Sequence, residues 1–205
     1  MNVEYTSFEF LLALSAIAFG MAADIYYFFG MRKPGHTPPN RWSWLIFSFS
    51  AYVEVLTYHE VSGDIVKVIP LATTPVACTV ILWFVWKLRE DKWENRLEMA
   101  IDIFSVVASF SAIIIWLVFS KELWAHTLMV IAVPVSYLPI WRSCVKFGSK
   151  RGEDLPWKLW SAMDALNLSL SLHRLNDVME VPYIAVELVC HVVTWFLVVK
   201  FRRSA

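Results

Sequence analysis

A chain of 205 residues that is 58% hydrophobic and 18% charged, with a mean hydropathy of +0.54, departs from water-soluble domains, in which about a quarter of residues are charged. Its net charge is zero, so no overall basic field points to nucleic acid. Three cysteines, Cys78, Cys144 and Cys190, show no paired spacing, which excludes a disulfide framework or a zinc ribbon.

The first apolar segment covers residues 8–29. Residues 1–10 carry Glu4 and Glu9 and no Lys or Arg. A secretory signal starts basic, so this stretch reads as a retained first helix. Six more segments follow, at 42–58, 65–86, 99–119, 123–141, 157–172 and 181–199. A helix needs about 20 residues to cross the hydrocarbon layer. Backbone groups in lipid have no water to bond, so each crossing must be helical. The second and sixth segments are short or polar and are expected to face other helices rather than lipid. Pro70 and Pro75 fall in the third segment and Pro134 and Pro139 in the fifth, where interior proline kinks a helix.

Lys and Arg set the orientation. The side reached by the end of the first segment collects Arg32, Lys33, Arg41, Lys87, Arg89, Lys92, Arg96, Arg142, Lys146, Lys150, Arg151, Lys158, Lys200, Arg202 and Arg203. The other side has Lys67, Lys121 and Arg174. The expected topology is therefore an odd number of crossings, with the N-terminus outside and the C-terminus in the cytoplasm. Trp42, Trp44, Trp86, Trp93, Trp141 and Trp157 sit near the inner boundary and Trp124 near the outer one, which reads first as an interfacial aromatic belt.

The chain also divides into two related parts. Tyr26-Tyr27, a basic loop at 31–41 and Trp42-Ser43-Trp44 are echoed by Tyr137-Leu138-Pro139, a basic loop at 142–156 and Trp157-Lys158-Leu159-Trp160. The expected fold is all-α and integral to the membrane, with seven helices in a 3+1+3 plan of two parallel triple-helix repeats. Residues 1–87 form the first repeat, 88–121 a cytoplasmic loop and linker helix, and 122–205 the second repeat. Internal repeats are frequent in transporters, with the site at their interface near mid-membrane.

Charged groups within such segments are costly to insert and mark candidate sites. Asp24, Glu54, Asp102, Asp164, Glu187 and His191 are these groups, with the neutral Asn167. Asp102 lies about one turn inside the inner boundary, where capping or snorkelling accounts for it. Glu187 and His191 are four apart and share a helix face. They are the expected proton-coupling residues, because a carboxylate beside a histidine favours its protonated form. The alternative for the pair is a structural tie between helices. Trp160, Asp164 and Asn167 form one stripe on the sixth segment, suited to stacking on a flat solute and bonding its polar edge. Helix-to-helix bonding explains such a stripe equally well. With Glu54, these five make the expected solute-binding set.

The layout of the whole chain resembles the SWEET and PQ-loop superfamily of small seven-helix membrane carriers, and more distantly the nicotinamide riboside carriers. Pro38-Pro39-Asn40-Arg41-Trp42-Ser43-Trp44-Leu45 resembles an uncharacterised bacterial branch. Trp157-x-x-Trp160-x-x-x-Asp164 is similar to the aromatic helix of the vitamin carriers. Pro139-Ile140 stands where the family carries Pro-Gln. The resemblance implies a carrier or facilitator of a small polar solute such as a sugar, amino acid or vitamin. It would work by alternating access between the repeats, with proton coupling as an option, in a bacterial plasma (inner) membrane. The expected partners are the lipid bilayer and that solute, with no nucleic acid and no cofactor; a homo-oligomer is compatible. Two alternatives stand beside it. One is a non-transporting membrane receptor, with its basic loops facing a cytosolic partner or anionic lipid. The other is an intramembrane metal-dependent hydrolase drawing on His59, His126 and His173. A retinal photoreceptor is excluded, because the last segment has no lysine before Lys200.

Overall fold

Seven helices form along the chain in the computed structural model, which describes residues 5–33, 41–88, 96–119, 122–149, 152–175 and 177–202. They are α1 (Ser7–Gly30), α2 (Arg41–Ser62), α3 (Ile65–Leu88), α4 (Arg96–Phe119), α5 (Glu122–Phe147), α6 (Asp154–His173) and α7 (Glu180–Lys200). Each coincides with one apolar segment. Among the described residues there is no strand, only an isolated bridge between Ser149 and Arg202. Among the described residues four helices are long and apolar enough to cross a membrane: α1, α3 over Ile65–Lys87, α5 over Thr127–Phe147, and α7. Large apolar side chains such as Leu11, Leu14, Ile25, Val76, Trp83 and Phe196 point outward from them. This composition is consistent with a membrane protein, whose helices meet lipid with an apolar surface.

Local chemistry sets the helix ends. Thr6 caps α1 through a reciprocal box in which Glu9 N donates to Thr6 Oγ1 at 3.3 Å and Thr6 N donates to Glu9 Oε2 at 2.6 Å, satisfying two otherwise orphaned donors. Only Gly63 and Asp64 separate α2 from α3. Gly63 adopts φ +60°, which turns the chain at once. Asp64 then accepts from Val66 N at 3.0 Å and caps α3. Both prolines of α3 and both of α5 lie inside continuous helix.

The buried face of α1 is a row of small residues, Ala13, Ala16, Gly20 and Ala23, ending at Tyr27. Steps of three and four place them on one side, and small side chains let helices approach closely without a large side chain between them. At Gly20 an added Cβ would lie 2.7 Å from Met163 Sδ of α6.

The helix neighbours are regular. α1 packs on α3 and α6, α2 on α3, α4, α5 and lightly on α7, and α7 on α5 and α6. Among the described residues the backbones of α1 and α2 make no close approach, nor do those of α5 and α6; α3 and α7 respectively touch both members. Among the described residues α4 touches only α2 and α5. The least apolar helices, α2 and α6, are rich in buried positions, as their composition requires. Trp44, Tyr58, Met129, Tyr137, Trp160 and Ile184 belong to one continuous buried core.

Candidate functional site

The centre of this core is aromatic. Trp44 is 3% exposed and Trp157 5%, so both leave the interfacial belt in which their sequence positions set them. Burial wins because α2 and α6 turn these faces inward. Tyr27 touches Trp44, Trp157 and Trp160 at centroid distances of 5.0, 6.0 and 5.4 Å. Trp86 and Trp124 remain exposed, as a belt requires. Trp93 lies outside the described residues.

A cavity of about 40 Å³ opens among these rings, room for about three waters. Its wall comes from six helices: Asp24 of α1, Trp44 and Phe47 of α2, Thr74 and Cys78 of α3, Tyr137 of α5, Trp157, Trp160 and Met163 of α6, and Glu187 and His191 of α7. No residue of α4 lines it among the described residues.

His191 is held at both ring nitrogens. Nδ1 lies 2.6 Å from Asp164 Oδ2 and Nε2 lies 2.8 Å from the Tyr137 hydroxyl. Trp160 stacks on the imidazole at 5.6 Å and 19°. A tyrosine hydroxyl both donates and accepts. The network therefore serves neutral histidine, with Tyr137 donating to Nε2, and imidazolium, with Nε2–H donating to Tyr137. The change needs only a rotation of the hydroxyl. Trp160 Nε1 donates to Asp24 Oδ1 at 3.1 Å, and Tyr183 donates to Glu187 Oε1 at 3.1 Å.

Of the expected solute-binding residues, Trp160, Glu187 and His191 line the cavity. Asp164, 1% exposed, stands directly behind His191. Glu54 is buried on α2. Asn167 is 3% exposed, and neither atom of its amide has a hydrogen-bond partner among the described residues. Neither Glu54 nor Asn167 lines the cavity itself. The expected Glu187–His191 pairing takes a different form, since His191 bonds Asp164 and Glu187 bonds Tyr183. Asp24, one of the candidate charged groups, faces the cavity. Asp24, Trp44 and Tyr137 are wall residues missing from the expected set. The doubled aromatic motif at Tyr26-Tyr27, Trp44, Tyr137 and Trp157 was the signal that marked most of them.

A second polar cluster lies at the end of the molecule that carries the α2–α3 turn and the α6–α7 loop. Lys67 of α3 pairs with Glu180 of α7 at 2.5 Å, both side chains fully buried, and Lys67 Nζ also donates to the Arg174 carbonyl. Arg174 pairs with Glu9 at 3.1 Å and with Asp64 at 3.1 Å. Each of these ion pairs joins α1, α3 or the α2–α3 turn to α7 or the end of α6. At the opposite end, Asp154 pairs with Lys158 at 2.8 Å and with Arg202 at 2.9 Å, and these ties stay within α6, α7 and the segment after α7. Asp102 is buried on α4.

Among the described residues no three His, Cys, Asp or Glu side chains group so as to hold a metal ion. The His126 side chain lies outside the described residues. No family model, curated protein or solved structure matches this chain.

Proposed function

We propose that the protein is a membrane carrier of a small polar solute, with its binding site at the aromatic cavity. The observation that carries this reading is the make-up of the wall: among the described residues, helices α1, α2, α3, α5, α6 and α7 contribute to it and α4 does not. A 3+1+3 plan of two parallel repeats, with α4 as the linker, has this property. The neighbour pattern supports the same plan. α3 touches α1 and α2 as α7 touches α5 and α6, and the contacts α1 to α6 and α2 to α5 exchange under a two-fold relation. Seven crossings, the N-terminus outside and the C-terminus inside follow from the distribution of Lys and Arg. In that orientation the Lys67–Glu180 cluster closes the outer end by bridging the two repeats. The layout is that expected for a SWEET-like or PQ-loop-like carrier in a bacterial inner membrane.

Purified protein in liposomes, assayed for uptake of labelled sugars, amino acids and vitamins, tests the proposal. Glu187→Gln and His191→Ala should abolish uptake or its pH dependence while helix content is retained. Wild-type uptake in both variants would remove the site from this cavity.

A further inference from the structure

The charge of the cavity wall is one-sided. Asp24 and Glu187 face the space, and Asp164 stands one bond behind His191. Against three carboxyl groups there is one imidazole, and no Lys or Arg lines the cavity among the described residues. A protonated His191 balances Asp164 and nothing more. Trp160 and Tyr183 donate hydrogen bonds to Asp24 and Glu187. Such neutral donors support a carboxylate without cancelling its charge. In a low-dielectric interior an unbalanced charge is expensive, so each of these two groups needs a positive partner, either a proton or a cation from solution.

The rest of the wall selects what kind of cation. Trp44, Trp157, Trp160 and Tyr137 present π faces and edges around the space. Aromatic faces attract positive charge spread over an organic group, the more so when water is excluded. A small inorganic ion would want several oxygen ligands instead. Sugars fit poorly, because their hydroxyls want a dense set of neutral donors and acceptors. Most of the polar groups on this wall are already engaged: Asp24 and Glu187 accept from Trp160 and Tyr183, His191 is held at both ring nitrogens, and Ser50 donates to the Phe47 carbonyl.

We propose that the solute is a small organic monocation, an ammonium or guanidinium compound, and that it enters in exchange for one of the protons held by Asp24 and Glu187. This rests on the carrier reading above. When the cation leaves, one proton takes its place while the other carboxyl stays protonated, and the wall is neutral in both states. The other titratable groups packed around the pair are Tyr27 of α1, Glu54 of α2, Cys78 of α3, Tyr137 of α5, Asp164 of α6, and Tyr183, Cys190 and His191 of α7. His191 stays held between Asp164 and Tyr137 beside the two carboxyls.

The test uses vesicles of the full-length protein loaded with a pH dye, with guanidinium, tetramethylammonium or choline added outside. The exchange predicts alkalinisation of the interior only when protein is present, with no such change for glucose or alanine. Tryptophan fluorescence gives binding separately. Choline should bind at least about tenfold more tightly than its neutral analogue 3,3-dimethylbutanol. Asp24→Asn still accepts the Trp160 bond, so the wall survives. It should weaken choline about tenfold and leave the neutral analogue unchanged; Glu187→Gln is the independent second variant. Uptake of glucose or alanine with no response to any of the three cations would overturn the cation assignment and leave the carrier standing. Equal binding of choline and its neutral analogue would do the same. If no solute of either kind moves through folded protein, the carrier reading fails and this inference falls with it.

Discussion

His191 is bonded to Asp164 across the α6–α7 contact, Nδ1 to Oδ2 at 2.6 Å, and not to Glu187 one turn away on its own helix. Asp164 thus fixes the imidazole from one side and Tyr137 from the other. Removing either partner leaves a buried nitrogen unsatisfied. Asp164→Ala should destabilise the protein by about 1–3 kcal/mol, and Tyr137→Phe by about 1 kcal/mol. Thermal unfolding in detergent reads both, and an unchanged midpoint for Asp164→Ala would show that the bond is not maintained in solution.

The Lys67–Glu180 pair offers a sharper contrast. Both side chains are fully buried. Lys67→Met strands the Glu180 charge and should reduce stability by about 3–5 kcal/mol, whereas the double variant Lys67→Met, Glu180→Leu should recover most of that loss. The measurement is a double-mutant cycle on unfolding midpoints. Additive losses would mean that the two groups act separately.

Asn167 carries two amide atoms without partners among the described residues. An unpaired buried amide is unfavourable by about 1–3 kcal/mol. Asn167→Leu is close in size and should raise the unfolding midpoint. If the amide serves the solute, uptake should fall in the same variant. A midpoint that drops instead would show that the amide is satisfied in the folded protein.

Asp154 supplies a prediction in pH. Burial alone would raise its carboxyl, but the Lys158 hydrogen bond and the Lys158 and Arg202 charges hold it below its ordinary value. A depressed acid contributes stability that is complete above the unfolded value, about pH 4, and is lost as pH falls through the folded one. Asp154→Asn should therefore flatten the acid limb of the stability curve below about pH 4 and leave neutral pH within about 1 kcal/mol, since both partners are well exposed. Parallel acid limbs for variant and wild type would assign acid sensitivity to other groups.

Much of this arrangement is legible along the chain, for a reason that also marks where legibility stops. Hydropathy locates each helix because lipid and core both demand apolar runs, and the weaker runs of α2 and α6 foretell their central place. Rotation of a helix about its axis is written less plainly. Spacing alone put Glu187 beside His191, since residues four apart must be neighbours. It could not show that α6 turns Asp164 toward the imidazole from 27 residues away. Asp24 lay near a basic loop in sequence, yet the Trp160 indole holds it in the cavity wall. The same blindness to rotation sent Trp44 and Trp157 to the membrane surface, because position along a helix gives depth but not direction.

Because Ala13, Ala16, Gly20 and Ala23 offer α6 little more than backbone, Met163 can seat directly over Gly20. The same close approach brings the Trp160 indole within reach of Asp24 and Tyr27. Bulk added along that row would spread the seam and, with it, draw the indole away from the cavity wall.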